Sequence, residues 1–259
     1  MKLNLVPART GLLWVKLGMQ TFFRQPLAML GLFLMFMAVI SIASMLPVIG
    51  TAVALALLPA ATLGLMAATQ EASKGKFPMP SILISALRAE QQRLRAMLVL
   101  GAFYAVGFLG VMGLSALFDG GQFARLYLVG GKITPELVNA PDFQAAMWSA
   151  TLLYMPLSLL FWHAPALVHW HGVPPVKSLF FSLVACLRNW AAFLVYGTVW
   201  IGAFMAAGML ILLTSMLLGS PNFAAMAMVP GALLMAAIFF TSIYFTFRDC
   251  FVADDAPTR

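Results

Sequence analysis

Charged residues are scarce in this sequence, making up only 9% of its 259 residues. Soluble globular domains average roughly 25%. Hydrophobic residues account for 63% of the chain. This balance excludes an ordinary soluble fold and predicts an integral membrane protein.

Six long stretches of the chain contain no Asp, Glu, Lys or Arg, and each reaches the roughly 20 residues that a helix needs to cross a bilayer. A helix satisfies its own backbone hydrogen bonds in lipid, so the predicted fold class is all-α, a polytopic bundle of transmembrane helices. We expect a single domain over residues 1–259, with one sizeable outer loop at residues 118–142. The predicted spans are Leu27–Leu46, Val48–Thr69, Ala96–Leu117, Phe143–Val168, Trp190–Leu218 and Phe223–Phe247.

The lack of ionisable side chains within these spans also weighs against several functions. Proton relays, ion-coupled carriers and intramembrane carboxylate-pair hydrolases place such groups inside the membrane because their chemistry requires them. No glycine-rich phosphate loop or zinc-protease pattern is present either. We therefore expect a non-enzymatic protein with no catalytic residues and no cofactor.

Cysteine is nearly absent as well, with Cys186 and Cys250 as its two occurrences. Neither belongs to a paired-cysteine spacing, and both fall on the predicted cytoplasmic side, where thiols stay reduced. The sequence predicts two ordinary thiols.

Positive charge is present in excess and lies on one side of the membrane. The net charge is +7, and of the Lys and Arg residues only Arg125 and Lys132 fall on the opposite side of the six-span arrangement. By the positive-inside rule, both termini are predicted to be cytoplasmic. Topology thus explains the basic excess, and we expect no nucleic-acid partner. The cytoplasmic set is Lys2, Arg9, Lys16, Arg24, Lys74, Lys76, Arg88, Arg93, Arg95, Lys177, Arg188, Arg248 and Arg259.

Three amphipathic helices are predicted on the cytoplasmic side, from Arg9, from Pro80 to about Arg95, and from Pro174. Each precedes two spans, which predicts a threefold helix-plus-hairpin repeat with the helices in the membrane surface. The first helix has an apolar face of Leu12, Val15, Met19, Phe22 and Phe23, opposite Arg9, Lys16, Gln20 and Arg24. The third has an apolar face of Val176, Leu179, Phe180, Leu183, Val184 and Leu187.

Small residues repeat every four positions along the second span, at Ala56, Ala60, Gly64 and Ala68. Such a stripe lets helix backbones approach closely, so we expect this span to be central. A groove for a substrate is the alternative interpretation. Glycines in the third span, among them Gly101, are also expected to serve close packing.

Two local features of the chain predict breaks in regular structure. Gly130-Gly131 supplies the positive φ values of a two-residue turn and favours a small β-hairpin in the outer loop. Pro156 and Pro165 are expected to kink the fourth span.

Histidine is the only residue type here with clustered metal-ligand chemistry, at His163, His169 and His171. At about 100° per residue, no continuous helix brings all three together. We expect no metal site, and interpret the histidines and their neighbouring tryptophans as anchors at headgroup level.

The corner at Arg188-Asn189 is a candidate grip for a lipid phosphate or another anion, with Lys177 on the same helix. An ordinary helix end is the alternative, with Arg188 at the negative end of the helix dipole. The candidate lipid- or anion-binding residues are Arg88, Arg95, Lys177, Arg188 and Asn189.

Two segments of the chain, PARTGLLWVKLGMQTFFRQPLAML and APALVHWHGVPPVKSLFFSLVACLRNW, resemble uncharacterised proteobacterial inner-membrane proteins of domain-of-unknown-function type. The resemblance implies a helical inner-membrane protein without an assigned activity. The matching positions are Ala164, Pro165, Ala166, Leu167, Pro174, Ser178, Cys186, Leu187, Arg188, Asn189 and Trp190.

These observations favour a lipid-interacting accessory or assembly factor of the inner membrane. Its expected partners are membrane lipids, anionic ones above all, and another membrane protein complex. Because internal repeats are frequent in transporters, a carrier or flippase for an amphiphilic solute is the alternative.

Overall fold

The computed structural model describes residues 2–86, 88 and 90–252, and most of them are helical. In chain order the longer helices are α1 (Thr10–Arg24), α2 (Pro26–Ser44), α3 (Gly50–Ser73), α4 (Gln91–Asp119), α5 (Gln122–Val129), α6 (Pro135–Asn139), α7 (Pro141–Phe161), α8 (Ala164–His171), α9 (Pro175–Arg188), α10 (Trp190–Leu217) and α11 (Pro221–Cys250). A short 3₁₀ helix spans Pro80–Ile84, and two short strands, β1 (Lys2–Leu3) and β2 (Phe251–Val252), pair antiparallel.

Within these described ranges, six helical segments are long and apolar enough to cross a membrane. They correspond to the six predicted spans, so the all-α polytopic prediction is confirmed. The fourth consists of α7 followed by α8, and the others are α2, α3, α4, α10 and α11.

The chain divides into two compact units. The first unit comprises the described residues up to 36, residues 62–85 and the described residues from 184 onward. The second unit comprises residues 37–61 and the described part of 86–183.

In the first unit, α1 packs against both α10 and α11. Two glycines of α1 make this possible, because a Cβ at Gly11 would meet the Ala192 carbonyl oxygen of α10, and one at Gly18 would meet the Ser242 side chain of α11. The indole of Trp14 is fully buried between them, with its ring centroid 5.2 Å from that of Phe193. Helix α1, although close to the N-terminus, is therefore part of the core of this unit.

In the second unit, α4 packs against α7. Gly101 of α4 lies directly against the backbone of Ala56, because a Cβ there would meet the Ala56 carbonyl oxygen. Gly107 lies against the Leu157 side chain, 2.8 Å from where its Cβ would be. The expected packing role of Ala56 and Gly101 is confirmed, and α3 is the most buried of the six candidate spans.

The predicted amphipathic helix from Pro80 to Arg95 is wrong. Residues Pro80–Ile84 form a 3₁₀ helix, Glu90 is extended with ψ of 147°, and α4 begins only at Gln91. Packing overrides the helical pattern: a Cβ at Gly64 of α3 would lie 2.7 Å from the Leu83 carbonyl oxygen, so the segment is pressed against α3. Leu87, which falls within the predicted helix, lies outside the described residues.

The predicted β-hairpin around Gly130-Gly131 is also wrong, because α5 ends at Val129 and α6 begins at Pro135. Helix α5 forms because the buried Asp119 carboxylate accepts hydrogen bonds from the Gly121 and Phe123 N–H groups, at 2.9 and 2.6 Å. Gly130 has a φ of 90° and ends α5 instead of turning a hairpin.

The fourth span breaks near one of the two predicted prolines. Pro156 remains inside α7, whereas Pro165 lies in the first turn of α8, where its missing N–H costs little. At the break, the His163 N–H donates to the Ser182 hydroxyl at 2.9 Å, and that hydroxyl donates to the Leu159 carbonyl at 2.8 Å. The α9 serine thus satisfies backbone groups that the interruption frees.

Candidate functional site

Asn189 lies at the corner between α9 and α10 and is buried, with an exposed fraction of 3%. Its amide oxygen accepts from the Val6 N–H at 2.8 Å, and its amide nitrogen donates to the carbonyls of Asn4 and Ala185, both at 3.1 Å. The same nitrogen lies 3.5 Å from the Cys250 sulfur. One side chain therefore joins the N-terminal segment, the α9–α10 corner and the end of α11.

A second set of polar contacts strengthens this junction. The Trp14 indole N–H donates to Asp249 Oδ2 at 2.9 Å, and Arg248 Nε lies 2.7 Å from Asp249 Oδ1. The Asn4 side chain donates to the Asp249 carbonyl at 2.9 Å. These bonds place the start of the chain and the end of α11 in one polar network, beside the β1–β2 pair.

The basic candidates are presented differently from Asn189. The side chains of Arg88, Arg95, Lys177 and Arg188 are all exposed. The candidate set is divided between the two units: the second unit contains Arg88, Arg95 and Lys177, and the first contains Arg188.

Helix α9 buries its small and polar residues and exposes its large apolar ones. Ser178, Ser182, Ala185 and Cys186 are buried. Of the predicted apolar face, Val176, Phe180 and Leu187 have exposed fractions of 66%, 60% and 55%. This is the reverse of a soluble surface helix, whose apolar stripe faces the core.

Helix α1 has three distinct faces. One is buried against α10 and α11 and includes Val15 and Phe22, which the sequence analysis had placed with the exposed apolar residues. The exposed apolar residues Leu12, Met19 and Phe23 fall within about 40° of one another on the helix. The exposed cations Arg9, Lys16 and Arg24 occupy the next sector.

The three histidines occupy different environments on the break and on α8. His163 is fully buried, His169 is half-buried and His171 is exposed. Among the described residues, no group of three His, Cys, Asp or Glu side chains has the geometry to hold a metal ion.

Both thiols are buried and free of disulfide bonds. Burial raises the pKa of the Cys186 thiol, and the neighbouring Cys250 adds to the shift. Cys186 therefore stays protonated at neutral pH, which is the state of an unreactive structural cysteine.

Arg93 is a polar residue that the candidate set omitted. Its guanidinium Nη1 donates to the His169 carbonyl oxygen at the end of α8, at 2.9 Å. Together with Glu90 it lines a surface cleft of about 340 Å³. The signal available in the sequence was the Glu90–Arg93 spacing immediately before an uncharged span.

Comparison with known proteins provides one informative match. The chain is 38% identical over 257 residues to a probable inner membrane protein of Burkholderia thailandensis, covering 97% of this chain and 94% of the relative. The chain belongs to this inner-membrane protein family. No family model and no solved structure matches it.

Membership in this family confirms the multi-pass inner-membrane protein that composition and resemblance predicted. The match runs through both distinctive segments of the resemblance, but the APAL…CLRNW pattern itself stays a prediction. The relative's name states a location and no activity.

Asn189→Ala is expected to release the N-terminal segment. The part-buried Val6 N–H and Asn4 carbonyl would lose their partner, and a hydrogen bond of this kind contributes about 0.5–1.5 kcal/mol. We expect hydrogen exchange at the Val6 amide to accelerate about tenfold or more, measured by mass spectrometry on the purified protein. Asn222→Ala, an exposed position in the same unit, is the control. Unchanged exchange at Val6 in Asn189→Ala would contradict the role of the side chain as a tie.

Proposed function

We propose that this inner-membrane protein is a non-enzymatic, lipid-interacting accessory or assembly factor whose exposed cations hold anionic lipid headgroups. The proposal rests on one observation: α1 and α9 both leave large apolar side chains exposed directly beside exposed Lys and Arg. Helices of this kind lie in the plane of the membrane surface, with the apolar side in the acyl region and the cations among the headgroups.

The headgroup contacts are assigned to Arg88, Arg95, Lys177 and Arg188. A cation near an anionic surface contributes about 1 kcal/mol, or about fivefold in affinity, and the contribution declines with salt. Asn189 takes a supporting role, because hydrogen bonds from its buried side chain fix the corner that carries Arg188.

An accessory role is preferred over the alternative of a carrier or flippase. The carrier alternative was motivated by the threefold repeat and the kinking prolines, and the second amphipathic helix of that repeat is replaced by a 3₁₀ helix and a non-helical Glu90. Helices α1 and α9 support an interfacial role, because each exposes apolar side chains beside cations.

The test is lipid retention by the purified protein in nanodiscs containing equal amounts of phosphatidylglycerol and phosphatidylcholine. We expect enrichment of phosphatidylglycerol around the wild type, which falls as salt is raised. The combined variant Arg88→Gln, Arg95→Gln, Lys177→Gln, Arg188→Gln should lose most of that enrichment.

The matched control is Arg125→Gln with Lys132→Gln, which removes the two cations predicted for the opposite side of the membrane. It should leave enrichment on the cytoplasmic leaflet unchanged. Equal retention of both lipids by the wild type, together with the absence of any co-purifying membrane protein, would overturn the proposal.

A further inference from the structure

The surface cleft near Arg93 lies in the second unit, where the start of α4 meets the turn between α8 and α9. Its volume is about 340 Å³, near the lower end of the roughly 300–1,000 Å³ typical of small-molecule sites. It therefore has room for a headgroup and not for a whole lipid. Its walls are Glu90, Gln92, Arg93 and Ala96 on one side, and Val168 with residues 172–175 on the other.

The cleft carries one charge of each sign. The Glu90 side chain makes no capping bond to α4, although it occupies the N-cap position. Among the described residues, no ion pair within 4.0 Å engages its carboxylate. A carboxylate in this position attracts a cation and repels a purely anionic ligand.

The Arg93 guanidinium is held in place by its bond to the His169 carbonyl. That bond uses one of the five N–H donors of the guanidinium. Among the described residues, it is the one hydrogen bond that the Arg93 side chain makes. The planar fork of remaining donors suits the paired oxygens of a phosphate.

The opposite wall is rigid before any ligand arrives. Gly172 ends α8 with a φ of 62°, and the Val173 N–H donates to the Leu167 carbonyl at 3.2 Å. Pro174 and Pro175 follow, with fixed φ angles. A preformed wall lowers the ordering cost of binding.

Exposed apolar side chains adjoin the cleft, near the start of α4 and at the start of α9. Leu98 and Val99, just beyond the lining residue Ala96, have exposed fractions of 57% and 44%. Val176, the residue after Pro175, is 66% exposed. A ligand with its polar group in the cleft can therefore place hydrocarbon on these side chains.

We propose that the cleft binds the headgroup of an ethanolamine phospholipid, with the phosphate on Arg93 and the primary ammonium on Glu90. The inference rests on the lipid-interacting function proposed above and adds a selective site to it. Selectivity follows from Glu90: glycerol headgroups have no cation to offer the carboxylate, and the quaternary ammonium of choline has no N–H to donate to it.

The test is native mass spectrometry of the full chain in detergent, titrated separately with dioleoyl phosphatidylethanolamine, phosphatidylcholine and phosphatidylglycerol. The wild type should bind one ethanolamine lipid about tenfold more tightly than either of the other lipids, as expected when a charged group is left unpaired. Equal affinity for all three would overturn the proposal.

Two variants separate the roles of the two charges. Glu90→Gln should retain phosphate binding, lose the preference for ethanolamine over choline, and gain affinity for the glycerol lipid. Arg93→Gln should weaken the ethanolamine lipid about tenfold. Since Arg93 also contacts α8, Arg93→Lys is added as a third variant: it keeps the charge and should restore part of the binding. Unaltered lipid selectivity in Glu90→Gln would sink the assignment.

Arg95→Gln is the matched control, because Arg95 is exposed on the same turn of α4 but does not line the cleft. It should weaken phosphatidylglycerol enrichment and leave the ethanolamine site intact. Failure of the general lipid function would appear as an absence of anionic enrichment around the wild type, whereas failure of the cleft would appear as an absent ethanolamine preference in the wild type or an unchanged one in Glu90→Gln. If soluble glycerophosphoethanolamine bound as tightly as the lipid, the acyl chains would contribute nothing, and the assignment of a lipid as the ligand would be overturned.

Discussion

Replacing Trp14 with alanine should lower the free energy of unfolding by about 3–5 kcal/mol, the cost typical of removing a buried aromatic side chain. The side chain is fully buried, contacts Phe193 and Tyr196, and donates to Asp249. Its loss leaves a cavity where α1 meets α10 and leaves a carboxylate without one of its partners. The measurement is the unfolding transition of the protein in detergent, followed by circular dichroism.

Trp190→Ala is the control for this change, since Trp190 lies in the same unit and is 64% exposed. It should shift the transition little. Trp14→Phe should have an intermediate effect, because it keeps one buried aromatic ring but loses both the indole donor and part of the ring volume. Equal transitions for Trp14→Ala and Trp190→Ala would show that α1 is not part of the core.

Gly101→Ala and Gly110→Ala should have effects of opposite sign, although both lie inside α4. A Cβ at Gly101 would meet the Ala56 backbone carbonyl, which no side-chain rotation relieves, so we expect a loss of about 1–3 kcal/mol. Gly110 has no heavy atom within 4 Å of such a Cβ. There the alanine should raise stability by up to about 1 kcal/mol through helix propensity.

The same unfolding transition measures both glycine variants. A second substitution at Ala56 cannot restore the stability lost in Gly101→Ala, because the contact is with the Ala56 backbone. The Gly110→Ala variant is therefore the decisive control. A Gly101→Ala protein as stable as the wild type would mean that α4 does not approach Ala56 closely.

The six spans could be predicted because hydrophobic length reports the thickness of lipid, and no packing detail enters that argument. The small-residue stripe around Ala56 was predictable for a related reason, since only small side chains allow backbones to touch. The helix predicted for Pro80–Arg95 failed because its outcome depended on Gly64, a residue far away in sequence that admits the Leu83 backbone. Periodicity contains no information about that neighbour.

The candidate site was likewise predictable only in part. Exposure of Arg88, Arg95, Lys177 and Arg188 follows from charge placement and was predictable. The partners of Asn189 were not, because Val6 lies 183 residues away in the sequence and only the tertiary structure brings the two together. Arg93 was not among the candidates because the sequence showed it only as one of the cytoplasmic cations, whereas its bond to the His169 carbonyl depends on where α8 ends.

The pairing of β1 with β2 constrains how the chain threads the bilayer. Lys2 lies opposite Val252 and Leu3 opposite Phe251, so both strands must lie on the same side of the membrane. Every crossing made between them must then be matched by a return, and the number of crossings is even. Six satisfies this parity, whereas five or seven would require the pair to separate, so reporter fusions at the two ends should always report the same compartment.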